Sequence, residues 1–474
     1  MFKSWRRLGL VLFAGFLAAF CGRIAAAEPA QADKEKPTSP QLKITETFLG
    51  KTEGMIAKSR IITPDCRHVA YAAVRAGKYL AVVDGVEGKE YNLVVGIVFS
   101  PDSKRVAYGA IRGDKCFVVV DGVEGKEYDG GGYAVFSPDS KRVAYVAMRG
   151  DKQLVVIDGV EGKEYDHTAH PPVFSPDSKR VAYGAKQGEK WFAVVDGVEK
   201  EYDHILNDAP VFSPDSNRVA YVAKRGERQL VVVDGVEGKE YDGIAMGDPI
   251  FSPDSKRVAY AAVHGYTAVH GRKWVVVVDG VESEEEEYDD IVLGSPIFSP
   301  DSKRVAYGAR QGEKWFAVVD GVEKEYDHIA GSPVFSPDSK RVAYGAKQGE
   351  KWFAVVDGVE GKEYDGIGSP AFSPDSKRVA YVASRGEKRF VVVDGVEGKE
   401  YDLIGDPVFS PDSKHTAYAA WRGKKWFVVV DGVEAKEYDG IMRGSRLVFD
   451  SPTKLHTLAE RDNEIFLVEI EITE

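Results

Sequence analysis

Hydrophobic and polar residues alternate in short runs that recur along most of this chain. In one representative copy, Val342, Tyr344 and Ala346 alternate with the small residues Ala343 and Gly345. An apolar run rich in valine follows, and no stretch has the 3.6-residue period of a helix. Alternation and short apolar runs of this kind predict β-strands. The copy therefore predicts an all-β unit of four short strands, at residues 334–335, 341–347, 352–356 and 362–364.

Turn-forming residues separate the predicted strands. In Ser-Pro-Asp-Ser, at 336–339, proline fixes φ, and the serine and aspartate side chains bond back to the main chain. Asp357-Gly358 and Gly349 supply the positive φ that tight hairpins need. Tyrosine and valine on one face, with alanine and glycine on the other, suit a sheet that is covered on both faces. Such a sheet is one blade of a β-propeller.

The Pro-Asp turn shows that the unit is repeated ten times. Successive copies are spaced by 37, 37, 38, 38, 39, 47, 37, 37 and 37 residues. A period in this range indicates a repeat architecture. The aspartates of the ten turns are Asp65, Asp102, Asp139, Asp177, Asp215, Asp254, Asp301, Asp338, Asp375 and Asp412.

The two ends of the repeat region complement each other. Residues 447–449 and 454–474 resemble an eleventh, degraded copy that lacks its last strand, and residues 44–54 resemble the missing piece. Pairing of the two ends would remove exposed sheet edges. We therefore predict a β-propeller of about 10–11 four-stranded blades over residues 42–474, closed as one large ring. Two smaller rings and an open arc remain alternatives, although no link between copies is conspicuously long.

The run Phe-Ser-Pro-Asp-Ser-Lys-Arg-Val-Ala-Tyr, at 335–344, resembles the WD-repeat-like unit of TolB-type periplasmic propellers. The resemblance covers nearly everything from Ile61 to Asp450. It implies a β-propeller fold and leaves function open, because such propellers serve both as binding scaffolds and as accessory domains of enzymes. Nothing here matches the separate amino-terminal domain that precedes the propeller in TolB, which argues against a TolB-like role.

The first 27 residues have the pattern of a secretory signal peptide. A basic start is followed by an apolar run at 8–20 and by small residues at 25–27. This run is too short and wrongly flanked for a spanning helix. We predict cleavage after residue 27, a flexible linker at 28–41, and export to the periplasm or the outside of a bacterial cell. A lipoprotein anchored through Cys21 is the less favoured alternative, because Phe20 stands where a small residue is wanted.

Charge and cysteine content narrow the classes of partner. The chain has 63 Lys and Arg against 75 Asp and Glu, a formal net charge of −12. A negative balance argues against binding to nucleic acid and to anionic membrane surfaces. No second apolar run is long enough to cross a bilayer, so we expect no integral membrane segment. We also expect a monomer. The two cysteines beyond the signal peptide, Cys66 and Cys116, are predicted to be unpaired thiols.

Variation between copies marks one face of the predicted ring. Strands that run alternately up and down place the middle hairpins and the inter-blade links on one face, and the Pro-Asp and Asp-Gly turns on the other. The links differ in every copy, and one middle hairpin carries an insertion at 264–270. Loops on a rigid scaffold commonly carry binding residues, although drift would also diversify them. The candidate partner-binding residues are His167, His170, His204, Asn207, Met246, His264, Tyr266, His270, His328 and Trp421.

Other candidate chemistry is weak. The histidines belong to several different blades, whereas a metal site needs three or four converging ligands. The repeated Asp-Gly-Val-Glu-Gly-Lys-Glu-Tyr-Asp offers carboxylates for calcium, but some copies lack one glycine and a lysine offsets the charge. We therefore predict no metal and no cofactor. Tryptophans recur at one position of the unit: Trp191, Trp274, Trp315, Trp352 and Trp426. They are interpreted either as packing between blades or as an aromatic platform for a ligand.

No catalytic motif is present in the sequence. There is no Gly-x-Ser-x-Gly elbow, and Gly50-Lys51-Thr52 lacks the upstream glycine of a phosphate loop. We predict an exported, non-catalytic binding or scaffold propeller that recognises a protein or peptide on its variable face. A polysaccharide-binding or polysaccharide-cleaving propeller and an architectural envelope protein are the alternatives.

Overall fold

A computed structural model describes most of the chain. It covers residues 40–245, 249–267, 271–283, 288–292, 296–442 and 444–473, without the side chains at 170, 207–209, 266–267 and 271–272. The predicted signal peptide, Cys21, Met246 and His270 lie outside the described residues, as do the side chains of His170, Asn207 and Tyr266. No helix among the described residues is long and apolar enough to cross a membrane.

The described residues form eleven small antiparallel sheets, so the predicted all-β propeller is confirmed. Ten of these sheets are built from strands in chain order, and the eleventh takes its fourth strand from the amino-terminal segment. We number the blades from the amino terminus, and blade 11 contains the carboxyl terminus. A 3-10 turn at Ala57–Ser59 is the one helical element described. In blades 6, 7, 9, 10 and 11 the first strand is interrupted and forms two pieces.

The strands of the eleven blades are as follows. First strands are β2 (Ile61–Ile62), β6 (Leu93–Phe99), β10 (Gly130–Phe136), β14 (His167–Phe174), β18 (His204–Phe212), β22 and β23 (Gly243–Ile244, Ile250–Phe251), β27 and β28 (Asp290–Ile291, Ile297–Phe298), β32 (His328–Phe335), β36 and β37 (Gly366–Ile367, Ala371–Phe372), β41 and β42 (Leu403–Ile404, Val408–Phe409), and β46 and β47 (Gly440–Ile441, Val448–Ser451). Second strands are β3 (Val69–Arg75), β7 (Val106–Arg112), β11 (Val143–Arg149), β15 (Val181–Gln187), β19 (Val219–Arg225), β24 (Val258–Thr267), β29 (Val305–Gln311), β33 (Val342–Gln348), β38 (Val379–Arg385), β43 (Thr416–Arg422) and β48 (Lys454–Arg461). Third strands are β4 (Lys78–Val83), β8 (Lys115–Val120), β12 (Lys152–Ile157), β16 (Lys190–Val195), β20 (Arg228–Val233), β25 (Gly271–Val278), β30 (Lys314–Val319), β34 (Lys351–Val356), β39 (Lys388–Val393), β44 (Lys425–Val430) and β49 (Glu464–Thr473). Fourth strands are β5 (Val86–Glu87), β9 (Val123–Glu124), β13 (Val160–Tyr165), β17 (Val198–Tyr202), β21 (Val236–Tyr241), β26 (Val281–Glu282), β31 (Val322–Tyr326), β35 (Val359–Glu360), β40 (Val396–Glu397), β45 (Val433–Glu434) and, in blade 11, β1 (Gln41–Lys51).

The first strands line the middle of the ring, where neighbouring blades come closest. A Cβ atom at Gly109 in blade 2 would lie 2.7 Å from the carbonyl oxygen of Gly132 in blade 3. A Cβ atom at Gly96 would lie 3.0 Å from the ring of Tyr133 in the same neighbouring strand. Real Cβ contacts are almost never this short, so glycine at 109 lets the two backbones approach.

The amino-terminal strand closes the ring, as predicted. β1 pairs with β49 in antiparallel register from Gln41 opposite Thr473 to Lys51 opposite Glu464. Glu46 accepts hydrogen bonds from Tyr438 of blade 10 (2.6 Å) and from Arg461 of blade 11 (2.8 Å). Blade 11 then meets blade 1, where Leu49, Leu458 and Ile465 share an apolar core with Val69 and Tyr71.

Each Pro-Asp turn is held by side chains that barely change between copies. In blade 8, the buried Ser336 hydroxyl donates to Asp338 (2.6 Å) and accepts from the Arg341 amide (2.9 Å). The Asp338 amide in turn donates to the hydroxyl of Ser376 in blade 9, at 2.9 Å. The Arg341 guanidinium donates to the Ser376 carbonyl (3.0 Å) and lies 5.2 Å from the Phe372 ring centroid. The constant turn is thus a contact between blades.

The constant carboxylates of the unit also join neighbouring blades. Glu161 of blade 3 accepts hydrogen bonds from Arg149 (2.8 Å) and, from blade 2, Lys126 (2.7 Å) and Tyr128 (2.9 Å). These donors, led by Arg149, lower the pKa of Glu161 from its ordinary 4.5 to about 2. The repeated acidic loop is therefore satisfied by protein donors.

Two details of the predicted unit are wrong. The first strand of blade 8 runs from His328 to Phe335, much longer than the predicted 334–335. The closing strand is Val359–Glu360, with only an isolated bridge between Trp352 and Tyr364 where a strand was expected. The variable segments regarded as loop-like links are therefore largely the inner strands of the ring, and a single residue connects β31 to β32. Both thiols, Cys66 and Cys116, are free, as predicted.

Candidate binding surface

Four residues in most blades stand in one cross-strand row at the end of the sheet where the middle hairpins emerge. In blade 8 this upper row is His328, Lys347, Trp352 and Tyr364. Directly paired residues project to the same side of a sheet, which here is the side facing the next blade. The tyrosine is constant and buried, whereas the other three positions vary. We call this end of the ring the upper face, and the end with the Pro-Asp turns the lower face.

The varied third position of the row contacts the next blade. Trp191 lies 4.6 Å from the His204 ring of blade 5, centroid to centroid. Gln229 instead accepts a hydrogen bond from the Ile244 amide of blade 6, at 2.7 Å. Trp191 and Gln229 are each half-buried. Trp191 therefore packs against the next blade, and glutamine at the same position replaces such a ring contact with a hydrogen bond.

Two groups of three rings stand on the upper face. His167, Trp191 and His204 span blades 4 and 5, with centroids 5.8 and 4.6 Å apart. Trp315, His328 and Trp352 span blades 7 and 8, with centroids 4.6 and 5.4 Å apart. These aromatic triads bring together His167 with His204, two of the predicted site residues, while His328 lies in the other triad.

Cations accompany both triads. Lys186 and Lys224 are the cross-strand partners of His167 and His204. In the second triad, Arg310 lies 5.9 Å from the Trp315 ring and Lys347 lies 6.0 Å from the Trp352 ring. Cations at this distance from an indole are weakly attracted to its face. The triads thus combine aromatic area with positive charge.

His204 carries a polar atom without a partner. Its Nδ1 is buried and has no hydrogen-bond partner among the described residues, while the ring as a whole is half-buried against Trp191. His167 and His328 are both exposed. These two histidines, rather than His204, offer ring atoms to a partner.

His264 has a structural place in the fold. Its Nε2 lies 3.1 Å from Glu282, and its ring lies 5.2 Å from that of Tyr241. Arginines hold this position in other copies, such as Arg225, which donates to Glu237 at 2.8 Å. His264 therefore replaces an arginine in a contact between the second and fourth strands of its own blade.

Trp421 lies in the upper row of blade 10. It is half-buried, with Leu403 and Trp426 as its cross-strand partners. This row is apolar, in contrast to the histidine and lysine of blade 8. The predicted site residues whose side chains the structure describes are therefore spread around the upper face and do not converge on one centre.

Two features of the upper and inner surfaces were not predicted from the sequence. Tyr133 is 62% exposed on the inner strand of blade 3. A pocket of about 340 Å³ lies between blades 9 and 10, lined by Ser384, Arg389 and Asp406 among others. The one available signal was Arg389, the single charged residue at the tryptophan position. Among the described residues, no group of three His, Cys, Asp or Glu side chains could hold a metal ion.

The similarity of this chain to known proteins is limited. No protein-family model matches the chain, and no curated protein matches it. A eukaryotic initiation factor structure is 12% identical, with 71% of this chain and 96% of that one covered and a TM-score of 0.38. The β-propeller domain of the Trilobed protease from Pyrococcus furiosus, described as having an open velcro topology, is 16% identical. The match covers 55% of this chain and 92% of that one, with a TM-score of 0.28. TolB from Acinetobacter baumannii is 17% identical, with 54% of this chain and 77% of that one covered and a TM-score of 0.23.

Proposed function

We propose that this protein is an exported, non-catalytic β-propeller of the TolB-type repeat class that binds a protein or peptide partner on its upper face. The observation that carries the proposal is the division between constant and varied positions. Constant serines, arginines and carboxylates are engaged in contacts between blades, as at Ser376, Arg341 and Glu161. Varied side chains stand in the upper rows and along the inner strands.

The composition of the upper rows supports a protein partner. Tryptophan, arginine and other aromatic side chains are the residues that most often carry binding energy at protein interfaces. The two triads place such residues beside exposed imidazoles at His167 and His328. A rigid ring presents them without a large ordering cost, which favours affinity.

We assign no catalytic step. The sequence carries no catalytic motif, and an active site needs nucleophile, base and stabilising groups in mutual contact. Export and a periplasmic or extracellular location belong to the same proposal and rest on the sequence pattern of residues 1–27. A monomeric state is also part of the proposal.

The proposal is tested by photo-crosslinking in bacterial cells that make the full chain. A photoreactive amino acid replaces Lys347 or Lys186 on the upper face, and Lys340 on the lower face in a matched control. The Lys340 side chain is 82% exposed in its turn. We expect one and the same protein adduct from both upper positions and none from Lys340, identified by mass spectrometry.

Other outcomes contradict the proposal in different ways. Adducts of equal yield from Lys340 would show that the upper face has no special role. Protein adducts absent from all three positions, together with binding of the purified chain to envelope polysaccharide, would favour the glycan alternative. Capture in the cytoplasmic fraction alone would contradict export.

A further inference from the structure

We infer that the pocket between blades 9 and 10 binds a small zwitterion, with the ligand's carboxylate on Arg389 and its ammonium group on Asp406. An α-amino acid or a short peptide with both ends free has this chemistry. The inference concerns a separate small-molecule site and does not depend on the proposed protein partner.

The pocket exists because large side chains are missing from one upper row. Blade 8 fills its row with His328, Lys347 and Trp352, but blade 9 has Gly366, Ser384 and Arg389 at these positions. Gly368 adds further space on the inner strand. The resulting pocket has a volume of about 340 Å³, within the range of small-ligand sites.

The charges that line the pocket are unpaired. Among the described residues, Arg389 makes no side-chain hydrogen bond, ion pair or ring contact, and neither does Asp406. The two groups also form no ion pair with each other, so their nitrogen and oxygen atoms are more than 4.0 Å apart. By contrast, the nearby Asp365 and Asp402 each accept hydrogen bonds from a lysine and from a backbone amide.

Arginine at position 389 reverses the hydrogen-bonding character of the site. Gln153 and Gln229 hold the same place in blades 3 and 5, and each uses its carbonyl oxygen to accept a backbone amide of the next blade. Arginine has five donors and no acceptor, so it cannot make this inter-blade contact. Its guanidinium is left to a ligand acceptor, and the planar fork matches a carboxylate.

The remaining lining completes a site for a small amino-acid-like molecule. The Asp406 carboxylate accepts hydrogen bonds from an ammonium group. The Ser384 hydroxyl, which makes no hydrogen bond within the described residues, offers one further donor or acceptor. Val382, Ala383 and Ile404 provide apolar lining for the ligand's carbon atoms.

The test is calorimetric titration of the full chain with four probes. Alanine and dialanine carry both charges, N-acetylalanine lacks the ammonium group, and alaninamide lacks the carboxylate. We expect saturable binding of alanine or dialanine, and binding weakened about tenfold or more for the two blocked probes. Arg389→Gln and Asp406→Asn should each weaken binding of the zwitterion to a similar degree.

The variants also report which charge each residue reads. The native chain should bind alanine more tightly than alaninamide, which lacks the carboxylate, and Arg389→Gln should bind the two equally. The native chain should also bind alanine more tightly than N-acetylalanine, which lacks the ammonium group, and Asp406→Asn should bind these two equally. Glutamine already stands at this position in two blades, so folding is expected to survive, as a thermal melt would verify. Lys340→Asn on the lower face is the control and should bind like the native chain.

Three results would overturn the inference. These are an absence of saturable binding for both zwitterions at millimolar concentration, equal binding of the blocked probes, and unchanged binding in Arg389→Gln and Asp406→Asn. None of these results depends on whether a protein partner is captured by crosslinking.

Discussion

At the scale of single residues, a serine before nine of the ten Pro-Asp pairs holds the turn together. Ser336 is fully buried, donates to Asp338, and accepts from the Arg341 amide. We expect Ser336→Ala to lower the free energy of unfolding by about 1–3 kcal/mol, because it leaves the half-buried Arg341 amide and the Asp338 carboxylate without their hydroxyl partner. Urea unfolding measures this change.

Lys340→Asn is the matched control in the same turn. Asn217 holds this position in another copy, and the Lys340 side chain is 82% exposed. Its effect should stay within about 0.5 kcal/mol, as for most exposed positions. Equal losses in the two variants would contradict the special role of the serine.

The residue scale also gives a prediction for His264. Because arginine makes the equivalent contact elsewhere, His264→Arg should restore a charged pair with Glu282 and leave the melting temperature unchanged or slightly raised. Partner capture should also be unchanged. A clear loss of capture would show that His264 belongs to the binding surface after all.

At the scale of elements, β1 is the strand on which closure depends. It supplies the fourth strand of blade 11, contributes Leu49 to the core with blade 1, and carries Glu46. Deletion of residues 1–51 should expose the edge of β49 and lower stability strongly, with self-association through that edge. Thermal melts and light scattering measure both effects.

Deletion of residues 1–38 is the control, because it leaves β1 complete. This shorter deletion should melt like the mature protein and stay monodisperse. If both deletions melt alike, pairing between β1 and β49 does not close the ring.

The elements also show how far sequence pattern reaches. The second and third strands were predictable because alternation and valine runs persist in every copy, as in 342–348 and 351–356. The first strands were underestimated because His328, Gly331 and Ser332 lack strand character. These residues are held in place by their neighbour: His328 and Ala330 take their register from β33. Tertiary pairing overrides local propensity there.

At the scale of the whole molecule, carboxylates bridge blade to blade and make stability depend on pH. The donors around Glu161 and Glu46 lower the pKa of each from an ordinary 4.5 to about 2. A carboxyl whose pKa is lower in the folded chain stabilises it above the unfolded pKa and loses this effect as pH falls through the folded value. We therefore expect a melting temperature that is flat above about pH 5 and falls steadily between about pH 4.5 and pH 2.

The outcome is checked by calorimetry across this range, with Glu161→Gln as the comparison. The variant should melt lower at pH 7 and show a shallower decline in acid. A native melting temperature that rises towards pH 2 would contradict the role assigned to these carboxylates.

The candidate surfaces were only partly predictable for a physical reason. His167, His204 and His328 were visible as departures from the repeat, and the structure places them in the triads. The pocket beside Arg389 was not, because it arises from what Gly366 and Ser384 leave unfilled in three dimensions. A pocket that forms where side chains are small leaves no pattern of hydrophobic and polar residues in the sequence, whereas a repeated turn does.

The most direct test replaces the upper row of blade 8 by that of blade 9. The variant carries His328→Gly, Lys347→Ser and Trp352→Arg, each a residue the repeat already accommodates. Partner capture from cells, measured beside the melting temperature, should fall at least tenfold while the fold persists. Undiminished capture by a folded variant would contradict the claim that the upper face is the binding surface.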